Sequence, residues 1–350
     1  MEVFLPILLF VVGIILIIKG GDFFVDAASW IAEVSGIPKL IVGATIVSVA
    51  TTLPELLVSV MAAVQGKVDM ATGNAVGSVT ANIGLIMAIS IFCMPGVVKK
   101  KDFVFKSIIL LLASSIVCVC GFVGSVNVLL SIMLLVIFVV YMIDNVMTAK
   151  RAMITSSKEV IETLAETDMT EIRSNPTDNA LEVEDIKANV SNKPSKRDII
   201  INIIKFVVGA AAIVYGADLL VDNGSILASK IGISERIISV TLIAIGTSLP
   251  ELVTTITAIV KKQSSLSLGN IIGANILDLT LIMPLCSIIS GQALPIAKQA
   301  AFIDLPFCLF VGALALIPML ISEKFKRWQG IALMVVYIAY LVVTCTVVIA

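Results

Sequence analysis

The stretch Thr51-Thr52-Leu53-Pro54-Glu55 decides the fold, because the chain repeats it as Thr247-Ser248-Leu249-Pro250-Glu251. The offset is 196 residues (251 − 55). Each copy lies inside an apolar run long enough to cross a bilayer. Two hydroxyls, a proline and a glutamate have no place on a lipid-facing surface there. A carboxylate at membrane depth is costly and persists where it faces a protein interior or a water-filled path, so its default reading is functional. The proline removes a backbone donor and clashes with the carbonyl one turn back, which predicts a broken or kinked helix beside each glutamate. Broken backbone at this depth is tolerated only where it lines a cavity, and its freed carbonyls can then hold a cation.

Composition sets the class. Of 350 residues, 59% are hydrophobic and 14% charged, with mean hydropathy +1.09. A soluble domain carries roughly 25% charge, so the chain reads as a polytopic membrane protein. The net charge of −1 argues against nucleic-acid binding. Histidine is absent, which excludes imidazole metal sites and histidine general bases. The six cysteines lie in or beside apolar runs without a CxxC pair and read as small packing residues. Neither a nucleotide-binding loop nor a nucleophile paired with a base is visible, so no enzyme and no cofactor is expected. The apolar N-terminus lacks a basic leader and reads as a first span.

Spans need about 20 apolar residues. Ten are expected: 3–29, 38–64, 68–93, 103–123, 126–147, 198–222, 234–260, 265–290, 300–321 and 328–349. Between the fifth and sixth lies an acidic stretch, 148–197, with Pro176, Pro194 and no aromatic residue. It reads as a solvated, mostly disordered tether with room for short helices. Basic residues accumulate in cytoplasmic loops. Lys99–Lys101, Lys150/Arg151, Lys196/Arg197, Lys261/Lys262 and Lys324/Lys326/Arg327 all fall on one side of a strict alternation. Both termini are therefore expected outside and the tether inside, in a plasma (inner) membrane.

The repeat extends beyond the opening motif. Gly20, Asp22 and Asp26 match Gly216, Asp218 and Asp222. Gly73-Asn74 matches Gly269-Asn270, Gly77 matches Gly273, and Asn82 matches Asp278, all without a gap. Five spans per half is an odd number, so the second half must insert upside down. The expected fold is all-α: ten transmembrane helices as two inverted five-helix repeats, residues 1–147 and 198–350, with an ion site at their interface. Spans 1 and 6 carry no motif oxygens and are expected to slide past a fixed core.

The polar residues fall into two kinds. Spans 2 and 7 carry Thr51, Thr52, Glu55, Thr247, Ser248 and Glu251. Spans 3 and 8 carry the helix-face stripes Asn74, Ser78, Asn82 and Asn270, Ala274, Asp278, with Asn275 alongside. Asparagines in membrane helices often tie helices together, which is the plainer role for Asn74, Asn270 and Asn275. All donors are oxygens, the set that suits Ca2+, Mg2+ or Na+. Ionised Glu55, Glu251 and Asp278 carry −3. One Na+ leaves two charges buried, at a high cost. One Ca2+ leaves a single charge, which protonation of Asp278 removes, and several Na+ also balance it. Mg2+ sheds water reluctantly, so a dehydrated cage favours Ca2+.

These paired motifs, each a hydroxyl pair with LPE followed by GNxxG and a later Asn or Asp, resemble the α-repeats of the cation/calcium exchanger superfamily. The nearest likeness is to prokaryotic Na+/Ca2+ exchangers, and it covers nearly the whole chain. The resemblance implies antiport, with Na+ entering as Ca2+ leaves. It implies Glu55 and Glu251 as Ca2+ ligands, with Thr51, Thr52, Thr247 and Ser248 as hydroxyl or carbonyl ligands. Ser48 and Ala244 would offer backbone carbonyls, and Ser78, Asn82 and Asp278 would serve flanking sites. Here Ala50 stands where the family usually has glycine, and Ala274 where serine is common. The partners are then Ca2+, Na+ and the lipid bilayer, with no nucleic acid, and a monomer is expected. Sister readings are an H+/Ca2+ exchanger, with Asp278 as proton carrier, and a K+-dependent Na+/Ca2+ exchanger. A channel needs a symmetric ring around a pore. A scaffold gives Glu55 and Glu251 no reason to exist.

The topology is directly testable. In a background without native cysteines, a cysteine within 148–197 should be labelled by an impermeant reagent only after permeabilisation. A cysteine replacing Lys298 should be labelled in intact cells. The reverse pattern would refute the charge-based orientation.

Overall fold

The computed structural model describes residues 4–66, 68–97, 100–171, 194–231, 246–291, 293–296, 298 and 300–349. Apolar runs in lipid must satisfy every backbone group internally, and these do so as helices. In chain order they are α1 (Phe4–Ser35), α2 (Lys39–Thr51), α3 (Leu53–Val64), α4 (Met70–Cys93) and α5 (Lys100–Val123). There follow α6 (Val128–Glu171), α7 (Lys196–Lys230), α8 (Leu249–Val260), α9 (Ser264–Ile289), α10 (Ala300–Ser322) and α11 (Arg327–Ile349).

Among the described residues eight helices are long and apolar enough to span a bilayer, or nine if α2 and α3 count as one. Those two are bent by 45° about Thr52, as Pro54 predicts. The remaining expected span appears only as α8, whose 12 residues cover about 18 Å of a core about 30 Å thick. Its upstream stretch, 232–245, lies outside the described residues.

One sequence expectation needs correction. α6 does not stop at 147 but runs unbroken for 44 residues to Glu171, about 66 Å at 1.5 Å per residue. The first part of the expected tether is thus helical, as one continuation of the span and not as a separate short helix. Thirteen of residues 148–171 are Ala, Arg, Glu, Lys, Leu or Met, with no Gly or Pro before Pro176, and helix propensity outweighs the missing apolar face. Residues 172–193 lie outside the described residues.

Two helices form the centre. The apolar windows of α4 and α9 are 72% and 83% buried, against 22% for α1 and 17% for α7. Their Gly, Ala, Ser and Asn residues explain this, since lipid supplies no hydrophobic drive between helices and close backbone approach must do the work. α2 crosses α9 glycine on glycine. A Cβ on Gly43 would run into the Leu266 carbonyl, and one on Gly269 into the Leu40 carbonyl.

α1 and α7 lie side by side on the outside. A Cβ on Gly13 would meet the Gly216 carbonyl at 2.9 Å, and one on Gly20 the Gly209 carbonyl at 2.9 Å. Phe24 packs on Phe206 with ring centroids 4.5 Å apart. Gly13 meets Gly216 while Gly20 meets Gly209, so the pair is antiparallel. Gly13 and Gly209 are matched at the offset of 196, as are Gly20 and Gly216, so the contact is reciprocal. Two short ribbons tie the loops. β1 (Gly96–Val97) pairs antiparallel with β4 (Lys324–Phe325), and β2 (Ser125–Val126) with β3 (Leu294–Pro295). Each ribbon joins the N-terminal half of the chain to the C-terminal half.

Packing at the α2–α9 crossing sets stability. Gly269→Ala should lower the thermal midpoint of the detergent-solubilised protein by several degrees, or abolish its folded yield. Gly312 in α10 meets its nearest atom only at 3.7 Å. Gly312→Ala should be neutral or stabilising by about 0.5–1 kcal/mol. Equal midpoints for the two variants would refute the close approach.

Candidate functional site

Both motif copies break in the same way. Thr52 has φ −84° and ψ −3°, and Ser248 φ −86° and ψ 4°. Each residue precedes a helix with proline in its first turn and then the glutamate. Pro54 and Pro250 have no N–H, so the carbonyls of Ala50 and Gly246 lose their helical partners. The Ser48 carbonyl stays engaged, accepting from the Thr52 backbone at 2.9 Å and the Thr51 hydroxyl at 3.3 Å. Ala244 lies outside the described residues.

The polar side chains are buried. Ser48, Thr51, Thr52, Glu55, Ser78, Asn82, Ser248, Glu251 and Asp278 all belong to the interior, and Thr247 is half-buried. The two halves hold each other's motif hydroxyls. Thr51 donates to Asn270 Oδ1 at 3.1 Å, and its counterpart Thr247 donates to Asn74 Oδ1 at 3.3 Å. Asn74 in turn donates to the Ser59 hydroxyl at 2.9 Å and to the Glu55 backbone carbonyl at 3.3 Å. Thr52 donates to Glu251 Oε1 at 3.2 Å.

α4 and α9 each contain a π turn, Asn82–Met87 and Asp278–Ile282. Asn82 and Asp278 open these turns and are counterparts at the repeat offset. Such turns insert an extra residue, free backbone groups and recur at functional sites. α3 packs on the turn that Asp278 opens, and α8 on the turn that Asn82 opens. The helices that carry Glu55 and Glu251 in their first turns are thereby both seated on the central pair that carries Asp278.

The hydrogen-bond accounting is uneven. Both Glu55 carboxylate oxygens, Glu251 Oε2 and both Asp278 oxygens have no donor among the described residues. Nor do Ser78 Oγ, Ser248 Oγ and the amides of Asn82 and Asn275 have a partner. No lysine or arginine pairs with the three acids among the described residues. Each glutamate sits in the first turn of its helix, where the dipole contributes about 0.3–1 kcal/mol. Burying an unpaired charge costs several kcal/mol, so the dipole alone does not hold the acids ionised. Among the described residues no three acidic or thiol side chains converge as a ready chelate. A cation held here draws on carboxylates together with hydroxyl, amide and backbone oxygens, a set suited to hard cations.

The sequence leaves Asn74 and Asn270 between a helix-tying role and a site role. They are ties, but they hold the motif threonines, one across each half. Their matched positions 196 apart were the available signal. The π turns had no such signal, since nothing in residue type separates them from ordinary helix.

The profile of the sodium/calcium exchanger protein family matches residues 5–146 and 201–346. The chain is 30% identical over 342 residues to the sodium/calcium exchanger MaX1 of Methanosarcina acetivorans, covering 96% of this chain and 97% of that one. It is 31% identical over 290 residues to the inner membrane protein YrbG of Escherichia coli, covering 83% and 82%. Its fold is similar to that of the sodium-calcium exchanger NCX_Mj, with a TM-score of 0.75, 26% identity and coverage of 96% and 98%. This chain is a membrane protein belonging to the sodium/calcium exchanger family.

Proposed function

We propose that the chain is a secondary antiporter that moves Ca2+ against Na+ by alternating access, with one central site built from the two LPE motifs. One observation carries the reading. Glu55 and Glu251, one from each half, start broken helices in the interior and present carboxylate oxygens without a donor among the described residues. In this reading Glu55 and Glu251 ligate Ca2+, with Thr51, Thr52, Thr247 and Ser248 completing the cage and Ser48 and Ala244 adding carbonyls. Ser78, Asn82 and Asp278 serve flanking Na+ positions. The framework is ten spans in two inverted halves, 1–147 and 198–350, joined by the cytoplasmic segment 148–197. The antiparallel, reciprocal glycine contact of α1 and α7 supports the inversion. The membrane is the plasma (inner) membrane, with both termini outside.

The mechanism follows from charge. Ca2+ and Na+ compete for overlapping oxygens and are not held together. Either load compensates the buried acids, whereas an empty pocket repels itself and reorients poorly. Each crossing therefore needs a load, and differential stabilisation of the two states sets the coupling. Ca2+ affinity falls as Na+ rises, with a Hill slope above one for Na+.

In proteoliposomes loaded with Na+, 45Ca2+ uptake should exceed that driven by a K+ or a pH gradient. Uptake driven by pH alone, with Asp278 required, would instead make the protein a proton exchanger. Uptake needing K+ beside Na+ would favour the third member of the class.

Glu55→Gln or Glu251→Gln removes one charge without changing volume. Either should reduce Na+-driven uptake at least tenfold while monodispersity and thermal midpoint stay near wild type. Wild-type uptake by either would refute the site.

Asp278→Asn separates the two ions. Isothermal titration should show Na+ competition weakened more than Ca2+ binding, because both glutamates still hold the divalent ion. An equal loss of both would place Asp278 in the Ca2+ cage itself.

A further inference from the structure

Counterpart interfaces of the two halves are in different states. α1 packs closely on α8: a Cβ on Gly21 would sit 2.6 Å from the Thr257 hydroxyl. At the end of α8, Lys261 reaches back to α1. Its Nζ is 2.8 Å from Asp26 Oδ1 and 3.3 Å from Asp22 Oδ1. It spans two carboxylates one helical turn apart.

The same offset carries this interface to α7 and α3. Ala217, Asp218 and Asp222 replace Gly21, Asp22 and Asp26, and Gln65 replaces Lys261. There the helices stand apart. A cavity of about 130 Å³ separates them, lined by Pro54, Val58, Ala217, Asp218, Asp222 and Thr247, among others. A water needs about 10–15 Å³ on such a measure, so the cavity admits several and reaches the motif through Thr247. Among the described residues no lysine or arginine pairs with Asp218 or Asp222. The backbone at the two helix ends is alike. Gly66 and Lys262 both adopt left-handed φ, +72° and +57°, closing the same turn. A lysine at 65 would therefore be aimed at α7 as Lys261 is aimed at α1.

We propose that Lys261 is a latch: by bridging Asp22 and Asp26 it holds the α1–α8 interface shut and favours the state in which the α7–α3 cavity is open. The inference rests on the alternating-access reading given above. By the charge-based orientation, the latch lies on the cytoplasmic side and the cavity on the outside.

The size of the interaction suits the task. Lys261 is 24% exposed and its partners 41% and 57%, and ion pairs so placed shift an equilibrium only about two- to fivefold. An exchanger must visit both states every cycle, and a tight buried pair would trap it. A weak double bridge biases the resting state and still lets go.

Two reporter positions test the latch. Val58 lines the open cavity, and its counterpart Thr254 is wholly buried. With Cys at 58 or 254 in a background without native cysteines, impermeant thiol reagent is added to right-side-out or inside-out vesicles. In the parent, position 58 should react from outside and position 254 hardly at all. Lys261→Gln should speed labelling at 254 from the cytoplasmic side about two- to fivefold and slow it at 58. Lys261→Arg should behave as the parent. Gln65→Lys alone should slow labelling at 58, and the exchange of both residues should slow it most. Unchanged labelling in Gln65→Lys, or in folded Lys261→Gln, overturns the latch. If Lys261→Gln fails to fold, Gln65→Lys alone decides. Labelling requires no ion transport. Absence of Na+-driven 45Ca2+ uptake in the parent would sink the exchanger reading, and unchanged labelling in an active exchanger would sink the latch alone.

Discussion

The constraint on which the structure rests is the burial of Glu55, Glu251 and Asp278 away from any protein cation among the described residues. In a medium of low dielectric such acids repel one another and lack the hydration that would screen them. Ordinary packing offers no remedy: apolar neighbours raise the cost, and a lysine would neutralise the acids permanently. A mobile cation neutralises them reversibly. Much of the architecture serves to keep the acids together despite this. Thr52 fixes one oxygen of Glu251, Asn74 and Asn270 fix the motif threonines, and the glycine crossing of α2 on α9 brings the broken helix against the central pair.

Much of this was legible in the sequence, and for definite reasons. The break at Thr52 follows from Pro54. The buried acids follow from the cost of a carboxylate in lipid, which leaves an interior path as its only tolerable place. The central position of α4 and α9, which their glycines, alanines and asparagines permit, is seen only in the structure. Other features were not legible. The π turns at Asn82 and Asp278 depend on how side chains settle against neighbouring helices, a tertiary effect that local propensity does not encode. The extension of α6 to Glu171 was missed because a charged, non-aromatic stretch satisfies the compositional signature of disorder while its residues are good helix formers. Lys261 counted only as a topological marker, since its partners lie more than 230 positions away in the chain.

The two halves agree in backbone and differ in chemistry. The breaks at Thr52 and Ser248 superpose in their torsions, and the turns at Gly66 and Lys262 share one conformation. Against that common frame stand Asn82 against Asp278, Ser78 against Ala274, and Gln65 against Lys261. On the exchanger reading proposed above, the shared parts supply geometry that any cation requires. The divergent parts set how much charge each flank carries and, in the proposed latch, which flank is shut.

The glycine contact between α1 and α7 binds the two helices to a shared constraint. Gly13 meets Gly216 while Gly20 meets Gly209, so each helix offers the other the same surface, turned end for end. An interface of this kind is isologous: one patch complements itself. A Cβ added at any one of these four glycines meets backbone of the opposite helix, so neither helix can enlarge this face without displacing the other.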